Sequence, residues 1–111
     1  MEISRICRIW HGWTSPENAP AYEDLLKEEI LPGIHRVNGY KGSQLYKRVL
    51  EDGKVEFITL TFFDSMDAVK EFAGDDFTRA VVPQKAQQLL SEYDKRSAHY
   101  ELKFDDTILN K

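Results

Sequence analysis

Two periods of hydrophobicity alternate along the chain. Residues 3–13 are dominated by β-branched and aromatic side chains and read as a central strand. Ile6 and Trp10 fall on one face of that strand, and Cys7, Ile9, His11 and Trp13 on the other. A strand apolar on both parities is covered on both faces. A helical period follows. Asn18 reads as an N-cap that places Pro20 in the first turn, where its missing N–H costs nothing. Tyr22, Leu25, Leu26 and Ile30 then form one apolar stripe. Pro32-Gly33 ends or kinks this helix, with a further turn before the Asn38-Gly39 turn signal.

Residues 40–50 and 54–63 read as two strands joined at Asp52-Gly53, a strong hairpin signal. The second of them is again apolar on both faces: Val55, Phe57, Thr59, Thr61 and Phe63 against Glu56, Ile58, Leu60 and Phe62. Asp64 or Ser65 caps a second helix with Met66, Val69 and Phe72 as its stripe and Gly74 as its stop. Residues 83–92 predict a third helix, 96–104 a last strand, and 105–111 a short tail. The order β-α-β-β-(α-α)-β predicts an α+β ferredoxin-like split fold, a single domain over 1–104. It has a four-stranded antiparallel sheet with helices on one face, the second helical segment being broken in two. The helices cover one apolar face of the sheet. The other face predicts a homodimer in which two sheets pack face to face.

Composition narrows the possible partners. The chain has 111 residues, 41% of them hydrophobic and 31% charged, with a net charge of −4. It has no basic block to displace phosphate counterions, which argues against nucleic acid. No apolar run approaches the ~20 residues that span a membrane, and no secretory signal pattern is present. A cytoplasmic location is the expectation. Cys7 is the single cysteine, so no intrachain disulfide can form. Its place in the strand pattern suits a small buried hydrophobe better than a reactive thiol.

Along most of its length, about residues 3–102, the chain resembles the antibiotic biosynthesis monooxygenase family of the dimeric α+β barrel superfamily. The likeness is carried by Trp10-His11-Gly12-Trp13-Thr14, by Glu17-Asn18-Ala19 with Ala21-Tyr22, and by Pro32-Gly33-Ile34 and Gly39-Tyr40-Lys41-Gly42. It continues through Val55-Glu56-Phe57-Ile58-Thr59, Phe72-Ala73-Gly74, Ala80-Val81-Val82-Pro83 and His99-Tyr100-Glu101. The resemblance implies oxygenation without a cofactor. A phenol or anthrone-like substrate is deprotonated and its anion passes an electron to O2; the radical pair recombines to a peroxide that collapses to product. The protein then supplies a base, anion-stabilising donors and a dry pocket. Haem-degrading relatives use a first-strand asparagine and a second-helix histidine. Here the first strand offers His11 and residues 66–73 contain no histidine, so haem is not expected.

In that frame His11 and His99 are candidate bases, Arg48 a fixed cation, and Trp13, Phe72 and Phe77 flat apolar walls. His11 is the favoured catalytic residue. Its plain alternative is a core histidine bonded to a backbone carbonyl or a carboxylate. Glu29 interrupts the first helix's stripe and is a candidate partner for His11 or Arg48, the alternative being a solvated flank. His35 is a pocket-rim candidate or a helix C-terminal cation, and His99 has a structural or interface alternative. Glu56 is expected to pair with Arg48 across the hairpin. The three histidines have no metal-ligand spacing, and no metal is expected. The scaffold equally admits a non-catalytic small-molecule-binding or structural homodimer, or an isomerase.

Overall fold

The computed structural model describes residues 5–108. Strand β1 spans Ile6–Thr14, and helix α1 spans Ala19–Leu25. The helical path then runs on without a break through a π turn (Leu26–Ile30), an α turn (Leu31–Gly33) and a 3-10 turn (Ile34–Arg36). Strands β2 (Tyr40–Val49) and β3 (Val55–Phe63) form the hairpin. They are followed by α2 (Met66–Ala73), α3 (Gln84–Leu89), β4 (Glu92–Tyr93) and β5 (Ala98–Glu101). The sheet order is β2-β3-β1 with β4 and β5 both on the far edge of β1, all antiparallel. This is the ferredoxin-like plan, with its last strand divided.

Local chemistry explains most boundaries. Pro20 lies in the first turn of α1 as the sequence requires, although Asn18 makes no capping bond. Its side-chain amide donates instead to the Leu89 carbonyl, tying α1 to α3. Pro32 does not end the helical path, because the preceding turns are wound as a π turn. Ser65 caps α2, its hydroxyl accepting from the Ala68 N–H at 3.1 Å. Gly39 has φ of 94°, and a Cβ there would meet Asp64 Oδ1 at 2.6 Å. Only glycine fits this close approach between the start of β2 and the start of α2.

Two boundaries differ from the sequence-based expectation. The third helix stops at Leu89 rather than near 92, since Leu90 is extended and the Ser91 N–H donates to the Trp13 carbonyl. The last strand is four residues long, not nine. Residues 95–97 pair away from β1 with the preceding loop: Ala80 N–H bonds the Lys95 carbonyl, and Ser97 N–H the Thr78 carbonyl. Residues 102–108 are exposed and lie outside any strand.

The pleat sorts side chains by parity. Ile6, Arg8, Trp10, Gly12 and Thr14 of β1 face the helices, as do Val55, Phe57, Thr59, Thr61 and Phe63 of β3. The core sits between that face and Tyr22, Leu26, Leu31, Ile34, Val69 and Ala86. Tyr22 packs edge-on to Phe57, with ring centroids 5.0 Å apart. Full burial of such a side chain contributes about 1.5–3 kcal/mol. The opposite face carries Ile9, Trp13, Ile58, Leu60 and Phe62, with Tyr46 and Tyr100 more than half exposed at 53% and 57%.

Candidate functional site

A narrow slot opens between the helices and the sheet. Trp10, Tyr22, Leu26, Ile34, Phe72 and Val82 are among the residues that line it. The space open to the centre of a water molecule is about 60 Å3, while the empty volume counted out through the mouth is about 530 Å3. The slot is therefore thin. It has room for a few waters and must widen to reach the ~300 Å3 of a usual ligand pocket.

The polar groups on this apolar surface are few. Arg8 projects from the middle of β1 and is only 4% exposed. Its Nη1 donates to the Phe77 carbonyl at 2.5 Å and lies 2.9 Å from His99 Nε2; Nη2 donates to the Arg79 carbonyl at 3.0 Å. The guanidinium also sits 5.4 Å from the centre of the Phe72 ring. Among the described residues it has no carboxylate partner. Burial lowers its pKa to about 10, so it stays charged at neutral pH. Thr59, on the slot wall, adds a buried hydroxyl with no hydrogen-bond partner among the described residues. Buried polar groups are normally paired. Among the described residues, Arg8 is thus a buried cation with no anion beside it, lining the same slot as an unpartnered hydroxyl.

The residues singled out from sequence do not converge. His11 lies on the open sheet face, away from the slot, with Nδ1 2.8 Å from Asp94 Oδ2. Its ring lies nearly parallel to Trp13, with centroids 6.0 Å apart. Trp13 is therefore on the open face too. Glu29 reaches Lys85 at 3.1 Å on the surface, and His35 is exposed against Tyr40. Arg48 pairs with Glu56 at 2.6 Å on the open face, the cross-hairpin pair expected from the sequence. Phe72 lines the slot. Phe77 packs edge-on to His99, with centroids 5.5 Å apart, and gives its carbonyl to Arg8. His99 faces the helix side behind Arg8. Desolvation first, and the Arg8 charge second, hold its pKa below the usual imidazole range. As Arg8 Nη1 can only donate, His99 Nε2 is the acceptor and Nδ1 carries the proton.

Arg8 and Thr59 escaped the sequence reading. The parity of β1 held a clue to the first: a charge placed between Ile6 and Trp10 on one apolar face is out of pattern. Nothing local marked Thr59. Cys7 is half-buried, and burial pushes its thiol pKa up, away from reactivity. Among the described residues no group of three or more His, Cys, Asp and Glu could hold a metal ion. No helix among them is long and apolar enough to cross a membrane.

No family model and no curated protein matches the chain. Solved structures do. Protein SO0527 from Shewanella oneidensis superposes with a TM-score of 0.64 at 16% identity, over 91% of this chain and 93% of that one. SnoaB, a cofactor-independent oxygenase from Streptomyces nogalater, gives 0.60 at 14% identity, over 96% and 98%. A presumptive antibiotic biosynthesis monooxygenase from Bacillus cereus gives 0.59 at 14% identity, over 96% and 100%. At these identities the likeness is one of fold. The chain has the fold of the antibiotic biosynthesis monooxygenase-type proteins, as the resemblance in its residues implied.

Proposed function

We propose that the slot binds a flat aromatic small molecule as its anion, and that the protein is a cofactor-independent monooxygenase acting on an aromatic or polyketide-like compound. The observation that carries this reading is Arg8: a buried guanidinium on the wall of an apolar slot, with no carboxylate to neutralise it among the described residues. A phenol or enol entering beside it ionises more readily, because a nearby cation favours the charged form. The carbanion-like ligand then transfers one electron to O2. The substrate radical and superoxide combine, a proton completes the hydroperoxide, and loss of water leaves the oxidised carbonyl. The electrons come from the substrate and the oxidant is O2. Trp10 and Phe72 supply the flat walls, and Thr59 a hydrogen bond to the ligand oxygen.

His99 supports this by holding Arg8. With Nε2 already accepting from Arg8, it serves as a positioning residue, and the proton lost by the ligand leaves through water at the slot mouth. A second reading follows from the slot's lining: among the described residues no histidine or carboxylate lines it. This favours a binding protein that captures an acidic ligand without turning it over. His11, paired with Asp94 on the open face, then belongs to the homodimer interface that we propose for the apolar sheet surface.

Oxygen uptake with an anthrone such as dithranol, alongside equilibrium binding of the same compound, separates the two readings. The oxygenase reading expects enzyme-dependent O2 consumption that is lost in Arg8→Gln and partly kept in Arg8→Lys. Binding that depends on Arg8, with O2 uptake no faster than without protein, supports capture alone. Binding unaffected by Arg8→Gln would sink both.

A further inference from the structure

Beside the slot lies a second cleft of opposite character. It is lined by Arg79, Lys95 and Arg96, with Asp76, Gln87 and Tyr93 completing it, and Val82 belongs to both cavities. The space open to the centre of a water molecule is about 540 Å3, well within the size of a ligand site. Three cations face one carboxylate here, in a chain whose overall charge is −4.

The backbone forces this arrangement. Arg79 and Arg96 form an antiparallel bridge, which sets two like charges directly opposite one another. Such a pair is destabilising unless something neutralises it. Arg96 is satisfied: its Nη1 meets Asp76 Oδ1 at 2.5 Å and Thr78 Oγ1 at 2.8 Å. Among the described residues Arg79 and Lys95 have no ion-pair partner. Lys95 Nζ rests 4.7 Å from the centre of the Tyr93 ring, a contact that leaves its three donors free for a ligand. The loop is stiffened from below, because the Arg79 carbonyl accepts from Arg8 and Ala80 is bonded to Lys95.

We propose that this cleft is a phosphate-binding site, with Arg79 and Lys95 as its anion donors and Arg96, held by Asp76, as the side that fixes its geometry. The planar fork of an arginine and the point charge of a lysine suit the oxygens of a phosphate or diphosphate. The shared wall at Val82 gives the phosphate two sources: a separate small phosphate compound, or a phosphate carried by the ligand whose ring fills the slot. The site stands whether or not the slot is an oxygenase centre.

Isothermal titration calorimetry of the full chain with inorganic pyrophosphate tests it. The expected result is saturable binding, weaker at higher ionic strength. Arg79→Gln and Lys95→Gln should each weaken it at least about ten-fold, while Lys103→Gln, remote from the cleft, leaves it unchanged. Pyrophosphate carries no ring for the slot and its binding is read without O2, so failure of the oxygenase reading and failure of this one are told apart. Naphthyl phosphate at least about ten-fold tighter than pyrophosphate, with sensitivity to Arg79→Gln, places the phosphate on the slot's own ligand; equal or weaker binding supports the site with a separate phosphate compound. Absence of saturable heat, or unchanged affinity in both Arg79→Gln and Lys95→Gln, overturns the proposal.

Discussion

Arg8 and His99 face each other across the β1–β5 pair, with Nη1 and Nε2 2.9 Å apart on the helix side of the sheet. The histidine accepts only while neutral. Its lowered pKa means that the unfolded chain takes up this proton first as pH falls. Stability from this group is thus fully present above the usual imidazole value of 6.5 and declines as pH drops through the folded-state pKa. Thermal melting from neutral to mildly acidic pH should show that decline. His99→Gln, which keeps an acceptor but cannot titrate, should flatten it. An unchanged pH profile in the variant would mean the pair contributes nothing to linkage.

The Arg48–Glu56 pair is asymmetric. Glu56 is buried at 6% exposure while the Arg48 side chain is largely solvated, so removing either partner has a different cost. Arg48→Ala leaves a buried carboxylate without its donor and should destabilise by about 1–3 kcal/mol in urea unfolding. Glu56→Gln removes the charge with the interaction and should cost less. The reverse order would refute the asymmetry.

Gly39 is the most constrained backbone position described. Its φ of 94° and the 2.8 Å approach of an added Cβ to Ala68 Cβ act together. Gly39→Ala should lower stability by at least about 2 kcal/mol, whereas Gly33→Ala, with open space around its Cβ, should be near neutral. Chemical denaturation of the two variants gives the comparison.

The open sheet face should close against a second copy. Leu60 sits near the middle of that face, between Ile9 on β1 and Gln44 on β2. Leu60→Glu is expected to convert a dimer to a monomer in sedimentation equilibrium, with far-UV circular dichroism unchanged. A wild-type monomer at micromolar concentration would remove the homodimer from consideration.

Much of the architecture could be read before any coordinates. The β-branched and aromatic runs of β1 and β3, the Asp52-Gly53 turn and the Ser65 and Gly74 ends of α2 are local signals, each made by a few neighbouring residues and each found where expected. The two-faced strands correctly required a helix layer on one side. Even the Arg48–Glu56 pair was accessible, because hairpin register follows from the turn.

What the sequence could not decide was the side of β1 that meets the helices. Both parities are apolar, so the pattern is degenerate, and a one-residue difference in facing moves every candidate from one environment to the other. The fold put Arg8 and Trp10 toward the helices, and His11 and Trp13 away from them. Only tertiary packing could make that choice, since it depends on which set of β1 side chains fits against Tyr22, Phe72 and Ala86 from distant parts of the chain. The divided last strand has the same origin. Residues 95–97 find their hydrogen bonds in a loop some seventeen positions earlier, at Thr78 and Ala80, and no local period records such a partner. The elements were local properties of the sequence; the slot, the buried charge and the basic cleft arose from contacts between its distant parts.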